Sequence, residues 1–136
     1  MKDSIFMKNF MTVFASAIVI SVLISCASAP VQVADDASSL EIIQMAQTAF
    51  DNGKSKAALQ YYDILIKRYG MNTAIYLEGT YETAHIYVRQ KKYSKAEPLL
   101  REVLEIYNSS QPGQFPGAYR KLAQKDLEKI EAKKAE

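Results

Sequence analysis

Two stretches of this sequence, 53–69 and 91–107, align with each other without a gap. Chemically similar side chains coincide in that alignment: Ala58 with Ala96, Leu65 with Val103 and Tyr69 with Tyr107. The offset between the two stretches, 91 minus 53, is 38 residues. Internal repeats with periods of about 20–50 residues are typical of arrays in which small supersecondary units stack on one another. The repeat therefore constrains the fold more than any other feature of the chain.

Each repeat is predicted to be a helical hairpin, and the repeats are expected at about 39–72 and 73–110. Apolar residues recur with the helical period in the first hairpin: Leu40, Ile43, Ala46, Ala49 and Phe50 in its first helix, and Ala57, Ala58, Tyr61, Tyr62, Leu65 and Ile66 in its second. Ser38 or Ser39 can cap the first helix. Asp51-Asn52-Gly53 is predicted to end it, because glycine accepts the left-handed conformation that terminates helices.

The same plan recurs after residue 72. Thr73 is predicted to cap a third helix, and Tyr93 to Tyr107 to form a fourth. A loop dense in turn formers then leads to a last helix, about 118–133, with one apolar stripe: Tyr119, Leu122, Ala123, Leu127 and Ile130. A stack of hairpins exposes an apolar end, so a helix with one polar face is the expected cap. The predicted fold is all-α, with two antiparallel helical hairpins and a C-terminal capping helix in an α-solenoid arrangement.

The N-terminal segment has a different composition from the rest. Lys2 and Lys8 precede an apolar run, 10–24, which is short for a membrane span of about 20 residues and long enough for a signal-peptide core. Met7 and Met11 are alternative starts to Met1, and the choice stays open. The single cysteine of the chain, Cys26, follows the apolar run directly.

Leu23-Ile24-Ser25-Cys26 resembles the lipobox of bacterial lipoproteins. The resemblance implies that residues 1–25 are a cleaved signal peptide and that Cys26 carries covalent lipid, such as palmitate, at the mature N-terminus. Residues 26–38 would then be the lipidated cysteine and a flexible tether. Two alternatives stay open: an uncleaved anchor helix, and cleavage after Ala27-Ser28-Ala29, against which stands the proline at position 30.

The repeats resemble tetratricopeptide repeats. That family places a small residue in each helix for close packing, and the matching positions are Ala46, Ala58, Ala84 and Ala96. The chain departs from the family pattern at several positions: Ile42 and Thr80 replace its tryptophan, Ser55 replaces a tyrosine, and Gly70 and Asn108 replace its closing proline. The resemblance, closest in type to envelope lipoproteins of the outer-membrane assembly machinery, implies a helical protein-binding domain over 39–134.

Few residues suit catalysis or metal binding. The chain has one histidine and one cysteine, so neither a histidine cluster nor a thiolate cluster can hold a metal. No glycine-rich phosphate loop follows a predicted strand. Without residues 1–25 the chain has 17 − 2 = 15 basic and 15 − 1 = 14 acidic residues, a balance that gives no electrostatic footprint for nucleic acid. We expect neither enzymatic activity nor a cofactor beyond the lipid.

A partner-binding groove is predicted along the first helix of each hairpin and the last helix. The residues expected to line it are Gln47, Phe50, Asp51, Tyr81, His85, Arg89, Arg120 and Gln124. Tyr81, His85 and Arg89 are four residues apart and therefore lie on one stripe of a helix. The alternative is that Tyr81 packs against the last helix while the other side chains only face water.

These features together predict an adaptor or scaffold in the bacterial cell envelope, which binds an envelope protein or peptide and is held at the membrane by its lipid. Ala27, rather than Asp, follows Cys26 and favours the outer membrane, facing the periplasm. Two alternatives are a small-ligand-binding component of a transport system and a self-associating module. The second alternative would form a homodimer through the first or last helix, because two repeats are fewer than the three or so usually needed for stability.

Overall fold

A computed structural model describes residues 29–136. This part of the chain contains five α-helices and no β-strand: α1 (Ser39–Asp51), α2 (Ser55–Tyr69), α3 (Thr73–Arg89), α4 (Tyr93–Ser109) and α5 (Ala118–Lys134). The contacts are mainly between neighbours in sequence, α1 with α2, α2 with α3, α3 with α4 and α4 with α5. The predicted architecture, two helical hairpins followed by a capping helix, is therefore confirmed.

Side-chain caps begin the first helix of each hairpin, α1 and α3. Ser38 and Glu41 form a capping box at α1, in which the Ser38 amide and hydroxyl both donate to the Glu41 carboxylate. At α3 the cap is Asn72, whose side-chain oxygen accepts from the amides of Ala74 and Ile75. The prediction that Thr73 is this cap was wrong by one residue, and Thr73 instead begins the helix.

The turns inside the two hairpins have the same backbone geometry. Gly53 after α1 has φ 73° and Lys91 after α3 has φ 58°, both in the left-handed region. The next amide in each turn reaches back over the helix end, with Lys54 N donating to Ala49 O at 2.8 Å and Lys92 N to Tyr87 O at 2.9 Å. This is the Schellman pattern of helix ends. The positions differ by the 38 residues of the sequence repeat, so the repeat is structural as well.

The core forms two clusters that share α3. The first joins α1 and α2 and includes Ile86 of α3. The second joins α3, α4 and α5. The four small residues singled out from the sequence, one in each of α1 to α4, are fully buried: Ala46, Ala58, Ala84 and Ala96. Small side chains at these positions let the paired helices approach closely, as the repeat pattern predicts.

The two hairpins meet most closely at Gly79 of α3. A β-carbon placed there would lie 2.9 Å from Cγ1 of Ile66 and 3.5 Å from a methyl carbon of Leu65, both on α2. The glycine is buried and lies in the middle of a helix, where its flexibility has a cost of roughly 0.5–1 kcal/mol relative to alanine. Glycine is therefore explained at position 79 because α2 lies too close to α3 for a larger side chain.

Two side chains predicted to face the core do not. Leu40 is 61% exposed and Leu122 is 41% exposed. Leu40 lies in the first turn of α1, where no other helix of residues 29–136 covers it, and Ile42 is buried instead. Leu122 lies on α5 beside an open pocket that it helps to line. The helical period alone does not show which turns of a terminal helix have a neighbour.

The residues before α1 lie along α2. The amide of Val31 donates to the Gln60 side chain at 2.9 Å, Arg68 donates to Ala34 O at 2.6 Å, and the Tyr69 hydroxyl donates to Ala37 O at 2.6 Å. Ala37 is buried in the first core cluster. We call residues 31–37 the N-terminal strap. Part of the segment predicted as a tether therefore packs on the domain.

Candidate functional site: the groove between α1, α3 and α5

The candidate site is the face on which α1, α3 and α5 lie side by side. These are the first helices of the two hairpins and the cap, and α3 contacts both of the others. Helix α3 is therefore the floor of a groove, with α1 on one side and α5 on the other. We call this face the groove, and its residues come from α3 and from the facing sides of α1 and α5.

The centre of the groove is a hydrogen-bonded group that joins α3 to α5. Nδ1 of His85 lies 2.7 Å from Oδ2 of Asp126, and the Tyr81 hydroxyl donates to the same oxygen at 3.3 Å. A carboxylate only accepts hydrogen bonds, so Nδ1 is the protonated nitrogen of the imidazole in this contact. Asp126 is 7% exposed and Tyr81 is 3% exposed. A carboxylate at this depth needs such partners.

Aromatic rings continue this group across the groove. The ring of Phe50 on α1 meets that of His85 edge-on, with centroids 6.3 Å apart. His85 stacks on Tyr81 at 5.8 Å, and Tyr81 lies 5.5 Å from Tyr119 on α5. Aromatic pairs at these separations stabilise one another beyond the area they bury. The row of rings joins the three helices, and the half-buried rings of Phe50, His85 and Tyr119 are its partly exposed members.

One end of the groove holds an open pocket with a basic rim. Its volume is about 440 Å³, and the lining residues are Tyr81, His85, Arg89, Leu122, Lys125, Asp126 and Lys129. Arg89, Lys125 and Lys129 are exposed. In residues 29–136 none of these three cations makes a salt bridge or side-chain hydrogen bond. Positive charge therefore surrounds a pocket whose own carboxylate is already bonded to His85 and Tyr81.

The other end of the groove is acidic and rich in tyrosine. Burial raises the pKa of Glu82, and the nearby carboxylates of Glu78 and Asp126 raise it further, while His85 acts in the opposite direction. Burial also raises the pKa of the Tyr62 and Tyr119 hydroxyls, and the charges of Glu78 and Glu82 add to both shifts. Glu82 is thus partly withdrawn from water, and Glu78, one helical turn before it, lines a pocket with Tyr119.

The His85–Asp126 pair invites comparison with catalytic pairs, but a nucleophile is not bonded to it. Within the described residues, the imidazole bonds only Tyr81 and Asp126, and no serine or threonine hydroxyl reaches it. A catalytic arrangement would place such a hydroxyl within hydrogen-bond reach of the base. No group of three His, Cys, Asp or Glu side chains in this part of the chain is arranged to hold a metal ion.

The structure brings part of the predicted set of groove residues together. Phe50, Tyr81 and His85 are in contact, and Arg89 lines the same pocket as Tyr81 and His85. Tyr81 is buried and its hydroxyl donates to Asp126 on α5, which agrees with the alternative that Tyr81 packs against the last helix. Gln47 and Asp51 are exposed on α1 and do not line that pocket. Arg120 donates to the Asn108 side chain at 3.0 Å at the end of α4, and Gln124 is exposed outside the pocket.

The sequence reasoning missed the residues that α5 contributes. Asp126 was not considered, although it lies three residues after Ala123 and four before Ile130, on the buried side of α5. A charged residue within an apolar stripe is the signal that could have found it, because buried charges need partners. Lys125 and Lys129 lie on the exposed side of α5, which agrees with the polar face predicted for the capping helix. Their position on the rim of a pocket was not predictable from the sequence, because it depends on how α5 packs on α3.

The predicted lipidation site, Cys26, lies outside the described residues. None of the helices in residues 29–136 combines the length and apolar character that crossing a bilayer requires.

The comparisons with known proteins supply little about function. No protein-family model matches the chain, and no solved structure matches it. An uncharacterised protein from Treponema pallidum (strain Nichols) is 30% identical over 110 residues, which cover 79% of this chain. The match covers 44% of that protein, so the chain spans less than half the length of this relative. The chain is thus similar to a longer bacterial protein whose name states no activity.

Proposed function

We propose that this protein is an adaptor of the bacterial cell envelope, which binds a protein or peptide partner in the groove between α1, α3 and α5. The single observation that carries the proposal is the groove itself. It presents a row of aromatic rings and an open pocket of about 440 Å³ with charged residues around it. Aromatic and arginine side chains are the usual anchors of protein interfaces. In this proposal the protein is not an enzyme, and its repeats are of the tetratricopeptide type.

The proposal includes a lipid anchor. The N-terminal sequence supports it, because an apolar run of signal-peptide length ends in Ser25-Cys26. Cleavage before Cys26 and acylation with two or more chains would hold the protein stably at a bilayer, since each buried CH₂ contributes about 0.8 kcal/mol. We place the protein at the outer membrane, with the domain facing the periplasm. Intact-mass spectrometry of the protein from cells tests this, and an unmodified chain that begins before or after Cys26 would contradict it.

The groove is tested by affinity capture from cells that carry groove variants. Leu122→Ser and Arg89→Ala change exposed or half-exposed pocket residues without removing the buried Tyr81 or Asp126. The expected result is that the double variant loses the partner proteins that wild type recovers. Lys67→Ala on α2 is the control, because Lys67 is exposed and pairs only with the neighbouring Asp63 in the described part of the chain. Recovery of the same partners by wild type and by the groove variant would contradict the proposal.

A second candidate function, self-association, is favoured by the outer edge of α1. Leu40 and Met45 are exposed there, and a depression of about 520 Å³ runs between α1 and the start of α2. A second copy that packed on this edge would extend the stack of helices. Sedimentation of the protein in detergent tests this, with Leu40→Ser/Met45→Ser as the variant. A purely monomeric wild type would rule it out.

A further inference from the structure

We propose that the groove selects a partner segment of mixed charge, with a basic side chain at its Glu78–Glu82 end and an acidic side chain at its Arg89 end. This inference rests on the proposed function and adds the chemical class of the partner to it. On α3 the two glutamates precede Arg89, and between Glu82 and Arg89 lies His85, whose ring stacks on that of Tyr81.

The basic end of the groove carries three positively charged side chains. Arg89 on α3 and Lys125 and Lys129 on α5 surround one pocket, and in residues 29–136 no carboxylate bonds any of them. The carboxylate inside the pocket, Asp126, is bonded to His85 at 2.7 Å and to Tyr81 at 3.3 Å. Its Oδ2 atom therefore already accepts two hydrogen bonds within the protein. An acidic side chain from a partner would accept hydrogen bonds from the rim, and Arg89 can bind a carboxylate through two parallel bonds.

The Glu78–Glu82 end of the groove is suited to a basic side chain of the partner. Glu78 and Glu82 are one helical turn apart, and like charges at this spacing are unfavourable. Both are half-buried, and no Lys or Arg within the described range bonds either carboxylate. Glu78 and the half-buried Tyr119 line the same pocket. A cation placed here would offset the repulsion and could meet the ring of Tyr119, since aromatic faces attract cations.

The spacing along α3 limits the length of the segment. Glu82 and Arg89 are seven residues apart, which corresponds to about 10 Å along a helix. About three residues of extended chain span that distance. Between them on α3 lies His85, whose ring contacts that of Phe50, and the half-exposed Leu122 of α5 lines the same pocket as His85 and Arg89. The matching segment therefore has a basic residue, an apolar residue in the middle, and an acidic residue about three positions from the basic one.

Segments of a single charge do not satisfy both ends. A wholly acidic segment would be repelled at Glu78 and Glu82, and nucleic acid would be repelled there for the same reason. A wholly basic segment would be repelled at Arg89, Lys125 and Lys129. Like-charge contacts across an interface are costly and suppress wrong partners more strongly than the matching pairs add affinity. The separated charges thus act mainly as a selectivity device.

The test uses full-length protein in a non-ionic detergent and three fluorescent peptides. The peptides share an apolar centre of Leu and Tyr and differ in their ends: Lys and Glu, Lys and Lys, or Glu and Glu, about three residues apart. Fluorescence anisotropy at low salt measures their affinities. We expect the mixed peptide to bind about tenfold more tightly than either of the others. Equal binding of the three peptides, or no binding of any, would overturn the proposal.

Charge reversal provides the decisive variant. Arg89→Glu/Lys129→Glu makes both ends of the groove acidic and is expected to transfer the preference to the peptide with two lysines. Lys54→Glu/Lys56→Glu is the matched control, because it changes the net charge equally at the exposed start of α2, away from the pocket. The control is expected to keep the preference for the mixed peptide. If both variants respond alike, net charge rather than the groove determines binding.

The outcomes also separate this inference from the proposed function. If Leu122→Ser/Arg89→Ala abolishes partner capture from cells but the charge reversals leave the peptide preference unchanged, the groove binds proteins and the mixed-charge rule is wrong. If the mixed peptide is preferred but groove variants capture the same cellular proteins as wild type, the groove can select such a segment and is not where the adaptor holds its partners.

Discussion

Lys91 holds a backbone conformation that suits glycine better. Its φ of 58° lies in the left-handed region, where a β-carbon costs about 1–2 kcal/mol, and the matching residue of the first hairpin is Gly53. Lys91→Gly is therefore expected to raise the free energy of unfolding by about 1 kcal/mol, and Gly53→Ala to lower it by about the same amount. Urea denaturation followed by circular dichroism measures both. A loss of stability in Lys91→Gly would show that the two turns are not equivalent.

Protonation of Glu82 is expected to make the stability of the folded protein depend on pH. Burial raises the pKa of Glu82 above its ordinary value of 4.5, so the folded protein favours the protonated form. The favourable contribution is fully present below the ordinary pKa and is lost as the pH rises through the raised pKa. Glu82→Gln mimics the protonated form and is expected to raise the melting temperature at pH 7, with a gain that shrinks towards pH 4. Glu105→Gln, at an exposed position on α4, is the control, and an equal gain at both pH values would contradict the assignment.

The positions of individual groove residues were the part of the structure that the sequence predicted least completely. The pattern placed Phe50, Tyr81, His85 and Arg89 on the inner side of their helices, and the structure brings these four to the groove. It did not place Asp126, because its role depends on where α5 docks on α3. That docking brings His85 and Asp126, 41 positions apart in sequence, into contact at 2.7 Å, and no local period contains this information.

The helices themselves were largely predictable. Their bounds follow from apolar periods, caps and left-handed turns, all of which are local, and the 38-residue offset already implied two equivalent hairpins. Leu40 and Leu122 were assigned to the core wrongly because both lie on the first and last helices of residues 29–136, whose outer sides no other described helix covers. Periodicity shows which side of a helix is apolar. The order of stacking decides how much of that side is covered.

The N-terminal strap is the element that sequence patterns did not indicate. Residues 31–37 have no helical period, yet they bond Gln60, Arg68 and Tyr69 along α2. Tyr69→Phe removes the hydroxyl that donates to Ala37 O and is expected to lower the free energy of unfolding by about 1 kcal/mol. Hydrogen exchange of residues 31–38 should become faster in this variant.

A tyrosine on the same helix provides the control for the strap. Tyr61 is half-buried and its hydroxyl makes no hydrogen bond within the described residues, so Tyr61→Phe should leave exchange in the strap unchanged. Slow exchange of residues 31–38 in Tyr69→Phe, equal to that in wild type, would mean that the strap is held by apolar contacts alone.

At the scale of the whole molecule, the strap and the groove involve different surfaces. The strap lies against α2, whereas the groove is formed by α1, α3 and α5. With Cys26 as the lipid-bearing residue, only the four residues 27–30 separate the anchor from the strap. Five residue steps span at most about 18 Å. In the proposed arrangement the anchor would thus hold the α2 side near the membrane, and the groove would remain free to bind a partner.

Site-specific photo-crosslinking in intact cells tests the groove as a docking surface most directly. A photoreactive residue at Leu122, inside the groove, is compared with one at Asp63, which is exposed on the outer helix α2. We expect position 122 to form crosslinks to a partner protein and position 63 to form no crosslink to that partner. The same products from both positions, or crosslinks from position 63 alone, would contradict the claim that this groove is where the protein holds its partner.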